Sequence, residues 1–263
     1  MVNQYTGIRE KRIGEQNYNT NGQLMTIIDY VDNRTVTVRF EDTGKTKICE
    51  YKKFKDGKVK DRFYPIVYGK GFLGNTTSMK ADGSGKKKSY KVWNSMLMRC
   101  YDEKIHKTRP TYIDCNVCGE WLCYENFEKW FDENYYEIQN EKMVLDKDIL
   151  LKGNRVYSPD TCVFVPERIN GMFVKHDRDR GKFPIGVSYD SGHKKFKANV
   201  NIIIGEGKYD NYHLGFYDTI EEAFMKYKEA KEELIRNVAN EYKDVIPQKL
   251  YNALYKYKVE ITD

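Results

Sequence analysis

Apolar and alternating positions in the first part of the chain predict short strands. Residues 24–31 form a mostly apolar run. In residues 34–40, alternate side chains beginning with Val36 share one apolar face, as in a half-buried strand. Residues 45–54 are a third candidate strand, and turn residues separate the three runs. We therefore expect a small curled sheet or barrel over residues 1–75, a module that binds nucleic acid, binds protein or only supports the fold.

The middle of the chain, residues 90–175, changes to helical spacing and then to short apolar runs. Apolar residues recur three or four positions apart in 90–101 and 121–131, which predicts two helices. Two short apolar runs follow, and the turn-forming residues between them predict a β-hairpin. These runs are residues 144–151 and 162–165. Pro166 is suited to open the next helix.

The last part, residues 183–263, predicts a sheet followed by helices. The strand patterns lie at residues 184–189, 194–204 and 212–217. Thr219 is suited to cap a helix over 220–236, and a shorter helix is predicted at 247–257. The fold class is therefore α+β: a small N-terminal β module, a central ββα unit with flanking helices, and a C-terminal three-stranded antiparallel sheet packed on a helix.

The middle strand of this sheet separates its side chains by chemistry. Four apolar residues share one face and are expected to pack on the helix: Phe196, Ala198, Val200 and Ile202. The opposite face carries Lys195, Lys197, Asn199 and Asn201. Lysine neutralises phosphate and asparagine pairs with adenine, so this face has the chemistry of a DNA-reading surface. The alternative is the wet face of an ordinary antiparallel sheet.

Composition limits the possible cellular compartment more than it limits the possible function. The chain has 45 Lys+Arg against 39 Asp+Glu, a formal net charge of only +6. No apolar run is long enough to span a bilayer and no apolar secretory segment opens the chain, so we expect no membrane partner and a cytoplasmic location. The six cysteines are then expected to be reduced. Cys115 and Cys118 form one C-x-x-C pair, which leaves zinc binding and burial as apolar side chains both open.

Two polar segments are predicted linkers. Residues 76–89 are rich in Gly and Ser and end in Lys86, Lys87 and Lys88. This segment is either a solvated tether or a place where the three lysines meet DNA phosphates. Residues 176–182 contain only polar residues and glycine, and His176 lies beyond the predicted helix that contains Asn170.

Three stretches of the C-terminal part resemble the Apetala/ethylene-response-factor type of DNA-binding domain. They are residues 185–189 (Ile-Gly-Val-Ser-Tyr), 195–200 (Lys-Phe-Lys-Ala-Asn-Val) and 214–223 (Leu-Gly-Phe-Tyr-Asp-Thr-Ile-Glu-Glu-Ala). The resemblance implies a three-stranded sheet on a helix, with double-stranded DNA bound through the sheet. The strands carry fewer arginines than members of that family usually have.

The central part resembles the HNH, or ββα-metal, nucleases of phages. The resemblance lies in residues 144–148 (Val-Leu-Asp-Lys-Asp), 157–166 (Tyr-Ser-Pro-Asp-Thr-Cys-Val-Phe-Val-Pro) and 169–170 (Ile-Asn), and in upstream Trp and Cys positions at 93–101 and 117–127. It implies a phage-encoded homing or nicking endonuclease that uses one divalent metal, Mg²⁺ or Mn²⁺.

The catalytic positions carried over from this resemblance are incomplete. Asp146 and Asn170 stand at metal-ligand positions, whereas Lys147 stands where the family has its general-base histidine. Thr161 stands at the position of the asparagine that fixes the hairpin loop. An exposed lysine has a pKa of about 10.4 and is protonated at pH 7, so only desolvation or a nearby cation would make it a base. Asp148 is the other candidate base, and a carboxylate is a weak one.

Two classes of function follow from these features. The first is an HNH-type homing or nicking endonuclease with a degraded active site. The second is a non-catalytic binder, either a DNA-binding regulator or a protein that blocks a host defence complex. Double-stranded DNA is the expected partner, with a host protein complex as the alternative in the second class. Metal-dependent cleavage separates the two classes.

Overall fold

A computed structural model describes residues 4–173, 182–205 and 208–263 of the chain. The protein is an α+β structure, as the sequence predicted. The chain divides into two compact units, Met1–Lys129 and Trp130–Asp263. The predicted central module, residues 90–175, spans the border between these units, and its folding as a separate domain stays a prediction.

The first unit begins with a four-stranded antiparallel sheet in the order β1-β2-β3-β4. Its elements are α1 (Gln4–Arg12), β1 (Gln16–Tyr18), β2 (Leu24–Asp32), β3 (Thr35–Phe40), β4 (Thr46–Cys49) and α2 (Tyr51–Lys55). Val36, Val38 and Phe40 are buried on one face of β3, against Met25 and Ile27 of β2. The alternation read from residues 34–40 is therefore confirmed.

The predicted third strand, residues 45–54, is wrong in its second half. β4 ends at Cys49, and α2 follows it. Phe54 is fully buried against the sheet, and Tyr51 packs beside the same cluster. Side chains three residues apart share a side in a helix but lie on opposite sides in a strand, so a helical turn is what brings both rings to the core.

The rest of the first unit contains three helices and two 3-10 turns within the described residues. The elements are α3 (Lys88–Tyr101), α4 (Glu103–Thr108), a 3-10 turn (Pro110–Tyr112), β5 (Asn116–Val117), a second 3-10 turn (Gly119–Leu122) and α5 (Tyr124–Asn134), whose last residues belong to the second unit. The first predicted helix is confirmed. The second begins at Tyr124 instead of Trp121, because Trp121 lies in the 3-10 turn. There its carbonyl oxygen accepts a hydrogen bond from Trp93 Nε1 at 2.7 Å, and both indoles are fully buried.

The second unit contains the predicted hairpin pair. β6 (Met143–Asp146) and β8 (Val163–Pro166) are antiparallel, with Asp146 opposite Val163. The two-residue strand β7 (Val156–Tyr157) lies in the connection between them, and α6 (Glu167–Gly171) follows β8. Pro166 ends β8 and is the N-cap of α6. The sequence predicted Pro166 as the first helical residue, but that residue is Glu167.

The C-terminal sheet has the predicted three antiparallel strands in the order β11-β10-β9. They are β9 (Val187–Asp190), β10 (Lys195–Gly205) and β11 (Lys208–Tyr217), and the helices α7 (Ile220–Glu241) and α8 (Gln248–Tyr255) follow. Thr219 caps α7 as predicted. Its hydroxyl oxygen accepts from the Glu222 amide at 3.2 Å, and Glu222 accepts from the Thr219 amide at 3.2 Å.

The inner face of this sheet packs on α7. Ala198 and Val200 of β10 are buried in one cluster with Ala223 and Tyr227 of the helix, as the alternation predicted. The approach is close at Gly186, which has a φ of +77° and where a Cβ atom would lie 2.0 Å from the Tyr227 ring. Only glycine fits that position without moving the helix away from the sheet.

Helix α7 belongs to two hydrophobic clusters of the second unit. Its first half contributes Ala223 and Tyr227 to the sheet cluster. Its second half contributes Ile235 and Val238 to a cluster that also contains Val165 of the hairpin, with further residues from α6 and α8. One continuous helix therefore fixes the hairpin and the sheet within the same unit.

The buried carboxylate of Glu232 lies between these two halves of α7. It accepts hydrogen bonds from Lys258 Nζ at 2.9 Å and from the Val259 amide at 3.0 Å, and Lys228 Nζ lies 3.3 Å away. Burial acts to raise the pKa of this carboxyl, but these hydrogen bonds outweigh burial and lower it overall. Glu232 thus ties the chain that follows α8 back onto α7.

Two expectations from the sequence concern membrane-spanning segments and the second linker. None of the helices in the described part of the chain is long and apolar enough to cross a membrane. The second predicted linker, residues 176–182, falls almost entirely outside the described residues, and His176 is among those not described.

Lys231, the residue before Glu232 on α7, is one of the residues that line a small cavity of about 30 Å³. Apolar and aromatic groups of Met172, Phe173 and Tyr257 line it. Desolvation by these groups lowers the pKa of Lys231 from 10.5 to about 8. The folded state therefore disfavours the charged ammonium, and the protein gains stability as the pH rises from about 8 towards 10.5.

We expect Lys231→Met to raise the free energy of unfolding at pH 7 by about 1–3 kcal/mol, because the buried charge is replaced by an apolar chain of similar length. The gain should shrink at pH 9.5, where the wild-type lysine is largely neutral. Urea unfolding at both pH values measures this. Lys226→Met, on the exposed side of the same helix, is the matched control and should change little. A loss of stability at pH 7 in Lys231→Met would contradict the argument.

Candidate functional site

The hairpin site begins at Asp146, the last residue of β6. Its Oδ1 atom accepts hydrogen bonds from the Asp148 amide at 2.8 Å and the Ile149 amide at 2.7 Å. The carboxyl group therefore caps the turn that leaves the strand. Burial raises the pKa of Asp146 to about 6, and the neighbouring Asp148 carboxylate adds to the rise. The charged form of Asp146 is thus less favourable than that of a free aspartate, but with a pKa of about 6 it still predominates at pH 7.

Lys147 is buried inside the hairpin connection. The HNH resemblance implies a histidine at this position. Lys147 Nζ donates to Asp148 Oδ2 at 3.0 Å and to the Asn154 carbonyl oxygen at 3.0 Å. In return, Asn154 Nδ2 donates to the Lys147 carbonyl oxygen at 2.7 Å. The ammonium thus closes the loop between residues 147 and 154. Both hydrogen bonds direct Nζ into the loop.

Thr161 and Asn170 lie elsewhere on the same motif. The Thr161 hydroxyl donates to the Val156 carbonyl oxygen at 3.0 Å and lies 2.8 Å from the Ser158 hydroxyl oxygen. Thr161 therefore links two parts of the loop by hydrogen bonds, which is the role that the resemblance implies for this position. Asn170 lies near the end of α6 and is half-buried. Its predicted metal contact stays a prediction.

The donor set of the hairpin fits a divalent cation poorly. Mg²⁺ and Mn²⁺ take carboxylate and carbonyl oxygens in an octahedral shell. Here one Asp146 oxygen is occupied by two backbone amides, and the Asp148 carboxylate is neutralised by the Lys147 ammonium. Among the described residues no group of three His, Cys, Asp or Glu side chains could hold a metal ion. Binding of Mg²⁺ or Mn²⁺ at Asp146 and Asn170 remains untested.

The cysteines give the zinc expectation no further support. All six are free thiols, and four are buried: Cys100, Cys115, Cys123 and Cys162. Burial as small apolar side chains is one of the two outcomes that the sequence left open. Zinc binding at Cys115 and Cys118 stays a prediction.

The outer face of the C-terminal sheet is the second candidate site. We use this term for Lys195, Lys197, Asn199 and Asn201 of β10 together with Asn211, His213 and Phe216 of β11. Lys197 pairs with Phe216, Asn199 with His213 and Asn201 with Asn211 across the two strands. The predicted residues of β10 therefore do share one solvent-facing surface. Lys195 forms an ion pair with Asp218 at 3.1 Å, whereas Lys197 forms none within the described part of the chain.

The contribution of β11 to this face was missed by the sequence reading. Strict alternation would place Asn211, His213 and Gly215 on one side, and Phe216 on the other. A β-bulge at Leu214 and Gly215 inserts one extra residue opposite β10 and reverses the alternation. Phe216 consequently joins the outer face and Tyr217 turns to the core cluster. Gly215, which has a φ of +133° in the structure, was the only sign of the bulge that the sequence offered.

The basic end of the first predicted linker is ordered and partly engaged. Lys86 Nζ donates to Ser78 Oγ at 2.8 Å, and Lys87 Nζ donates to Glu128 Oε1 at 2.9 Å. Lys88 is the exposed first residue of α3. The segment is thus held by its own unit, and the predicted contacts of these lysines with phosphate stay a prediction.

Comparisons with protein-family models, with curated proteins and with solved structures found no match to this chain. The two resemblances therefore stay predictions. The geometry of the hairpin site and of the outer face is what supports a function.

We expect Lys147→Ala to lower the free energy of unfolding by about 1–3 kcal/mol, because it removes a buried ammonium from Asp148 and from the Asn154 carbonyl. Lys195→Ala is the matched control. Its ion pair with Asp218 is exposed, so its loss should cost less than about 1 kcal/mol. Urea unfolding of both variants at pH 7 measures the difference. Equal effects of the two substitutions would contradict a structural role for Lys147.

Proposed function

We propose that this protein binds double-stranded DNA through the outer face of its C-terminal sheet. The observation that carries the proposal is the chemistry of that face. It presents three asparagines, two lysines and a histidine from adjacent strands, while the opposite face is covered by α7. Lysine and histidine suit phosphate contacts, and asparagine amides suit base edges in the major groove.

The shape of the surface supports duplex DNA over other polyanions. A two-stranded or three-stranded antiparallel ribbon is narrow enough to enter the major groove. Asp190 and Asp218 flank the face and reduce its positive charge. Non-specific attraction to any polyanion is therefore weak, and hydrogen bonds to bases have to contribute to affinity.

We further propose that the hairpin supports binding and does not cleave DNA efficiently. Lys147 Nζ is held by hydrogen bonds to Asp148 and to the Asn154 carbonyl oxygen. Asp146 caps a turn through Oδ1, which accepts from two backbone amides. Because these contacts commit Lys147 and one oxygen of Asp146 to the loop itself, we favour the non-catalytic class, a DNA-binding regulator or inhibitor, over an active nicking endonuclease.

A salt series tests the DNA-binding proposal. We expect the logarithm of the affinity for duplex DNA to fall linearly with the logarithm of the salt concentration. Lys197→Ala should reduce the slope by about one, as expected for the loss of one phosphate contact. Lys226→Ala removes the same charge from α7 and should leave the slope unchanged. No retention of duplex DNA at low salt would refute the proposal.

A nicking assay tests the hairpin proposal. Supercoiled plasmid incubated with Mg²⁺ or Mn²⁺ and the wild-type protein should stay supercoiled, because Lys147 stands where a histidine base is expected and is paired with Asp148. Lys147→His, which restores the family's residue type, and Asp146→Ala are compared in parallel. Robust nicking by the wild type that Asp146→Ala abolishes would make the protein a metal-dependent endonuclease and overturn this part of the proposal.

A further inference from the structure

One aromatic ring lies among the polar groups of the outer face. Phe216 stacks against the His193 ring with a centroid distance of 4.1 Å, and the His213 ring lies 4.7 Å away. Phe216 belongs to neither hydrophobic cluster of the second unit. The ring packs beside the two histidines on the outer face, where Phe216 is half-buried.

The amide groups on the same face are arranged as a donor and an acceptor. Asn211 Nδ2 donates to Asn201 Oδ1 at 2.5 Å, which leaves the Asn201 amide group free to donate and the Asn211 oxygen free to accept. Adenine presents the complement in the major groove, because its N7 accepts and its N6 amino group donates. The neighbouring pair is ordered in a similar way, with His213 Nδ1 lying 3.2 Å from Asn199 Oδ1.

The spacing of these groups matches the repeat of DNA. The pairs Asn201 with Asn211, Asn199 with His213, and Lys197 with Phe216 follow one another at two-residue steps of β10. Two residues of a strand span about 6.8 Å, which is close to two base-pair steps of about 3.4 Å each. Neighbouring pairs on the face therefore meet every second base pair of a duplex lying along β10.

We propose that the outer face prefers A·T base pairs, with the Asn201–Asn211 pair reading adenine and Phe216 contacting the C5 methyl group of thymine. This inference rests on the proposed function of binding duplex DNA. In an intact duplex the flat faces of the bases are stacked, and the thymine methyl is the apolar group that base edges offer in the major groove. It is therefore the group that the half-buried Phe216 ring recognises there.

Deoxyuridine gives a direct test, because it removes the thymine methyl and keeps every hydrogen-bonding group of the base pair. Competition binding, followed by fluorescence anisotropy, compares duplexes of equal length that are A·T-rich, A·T-rich with deoxyuridine in place of thymidine, and G·C-rich. The wild type should bind the thymine duplex about four-fold more tightly than the uracil duplex for each methyl that is buried. The G·C-rich duplex should bind most weakly.

Two variants separate the two parts of the proposal. Phe216→Ala should bind the thymine and uracil duplexes equally, while it still prefers them to the G·C-rich duplex. Asn201→Ala should lose much of the preference for A·T-rich over G·C-rich duplexes, and it should still bind the thymine duplex more tightly than the uracil duplex. Both side chains lie outside the hydrophobic clusters. Unchanged thermal unfolding of the variants verifies that the folded state is intact.

The outcomes distinguish this inference from the proposed function. Equal affinity of the wild-type protein for the thymine and uracil duplexes, with salt-dependent binding to both, overturns the Phe216 assignment and leaves DNA binding in place. No binding to any duplex overturns both. Tighter binding to single strands than to duplexes would make Phe216 a platform for stacked bases and would also overturn the inference.

Discussion

The apolar side of helix α7 is shared by two hydrophobic clusters, and the architecture of the second unit depends on that shared burial. Residues of its first half cover the C-terminal sheet, and residues of its second half pack with the hairpin, α6 and α8. The helix starts at a complete capping box. Between the two halves, the buried Glu232 carboxylate binds Lys258 and the Val259 amide.

Covering one side of the sheet decides what the other side can do. Because Ala198 and Val200 are buried under α7, alternation along β10 leaves Lys197 and Asn199 on the outer face. The bulge at Gly215 then adds Phe216 to that face and turns Tyr217 inward. An otherwise polar surface thereby gains an apolar element.

The hairpin engages several of its polar groups within itself. Lys147 binds Asp148 and a carbonyl oxygen of the same loop, and Asp146 Oδ1 accepts from two amides of the turn that follows it. The two candidate sites therefore differ, because the polar groups of the outer face are directed to solvent, whereas Lys147 and one oxygen of Asp146 are engaged by the hairpin loop.

Local periodicity in the sequence determined the alternation in β3 and β10, the β6–β8 pair, the Thr219 cap and the α+β class, because these depend on residues close together in the chain. It could not determine that residues 51–55 are helical, that Lys147 is buried, or that Phe216 joins the outer face. Burial and strand register are set by contacts that periodicity does not report, such as Lys147 with Asn154 and Phe216 with Lys197. Only the tertiary structure fixes these contacts, since a shift of one residue moves a strand side chain to the opposite face.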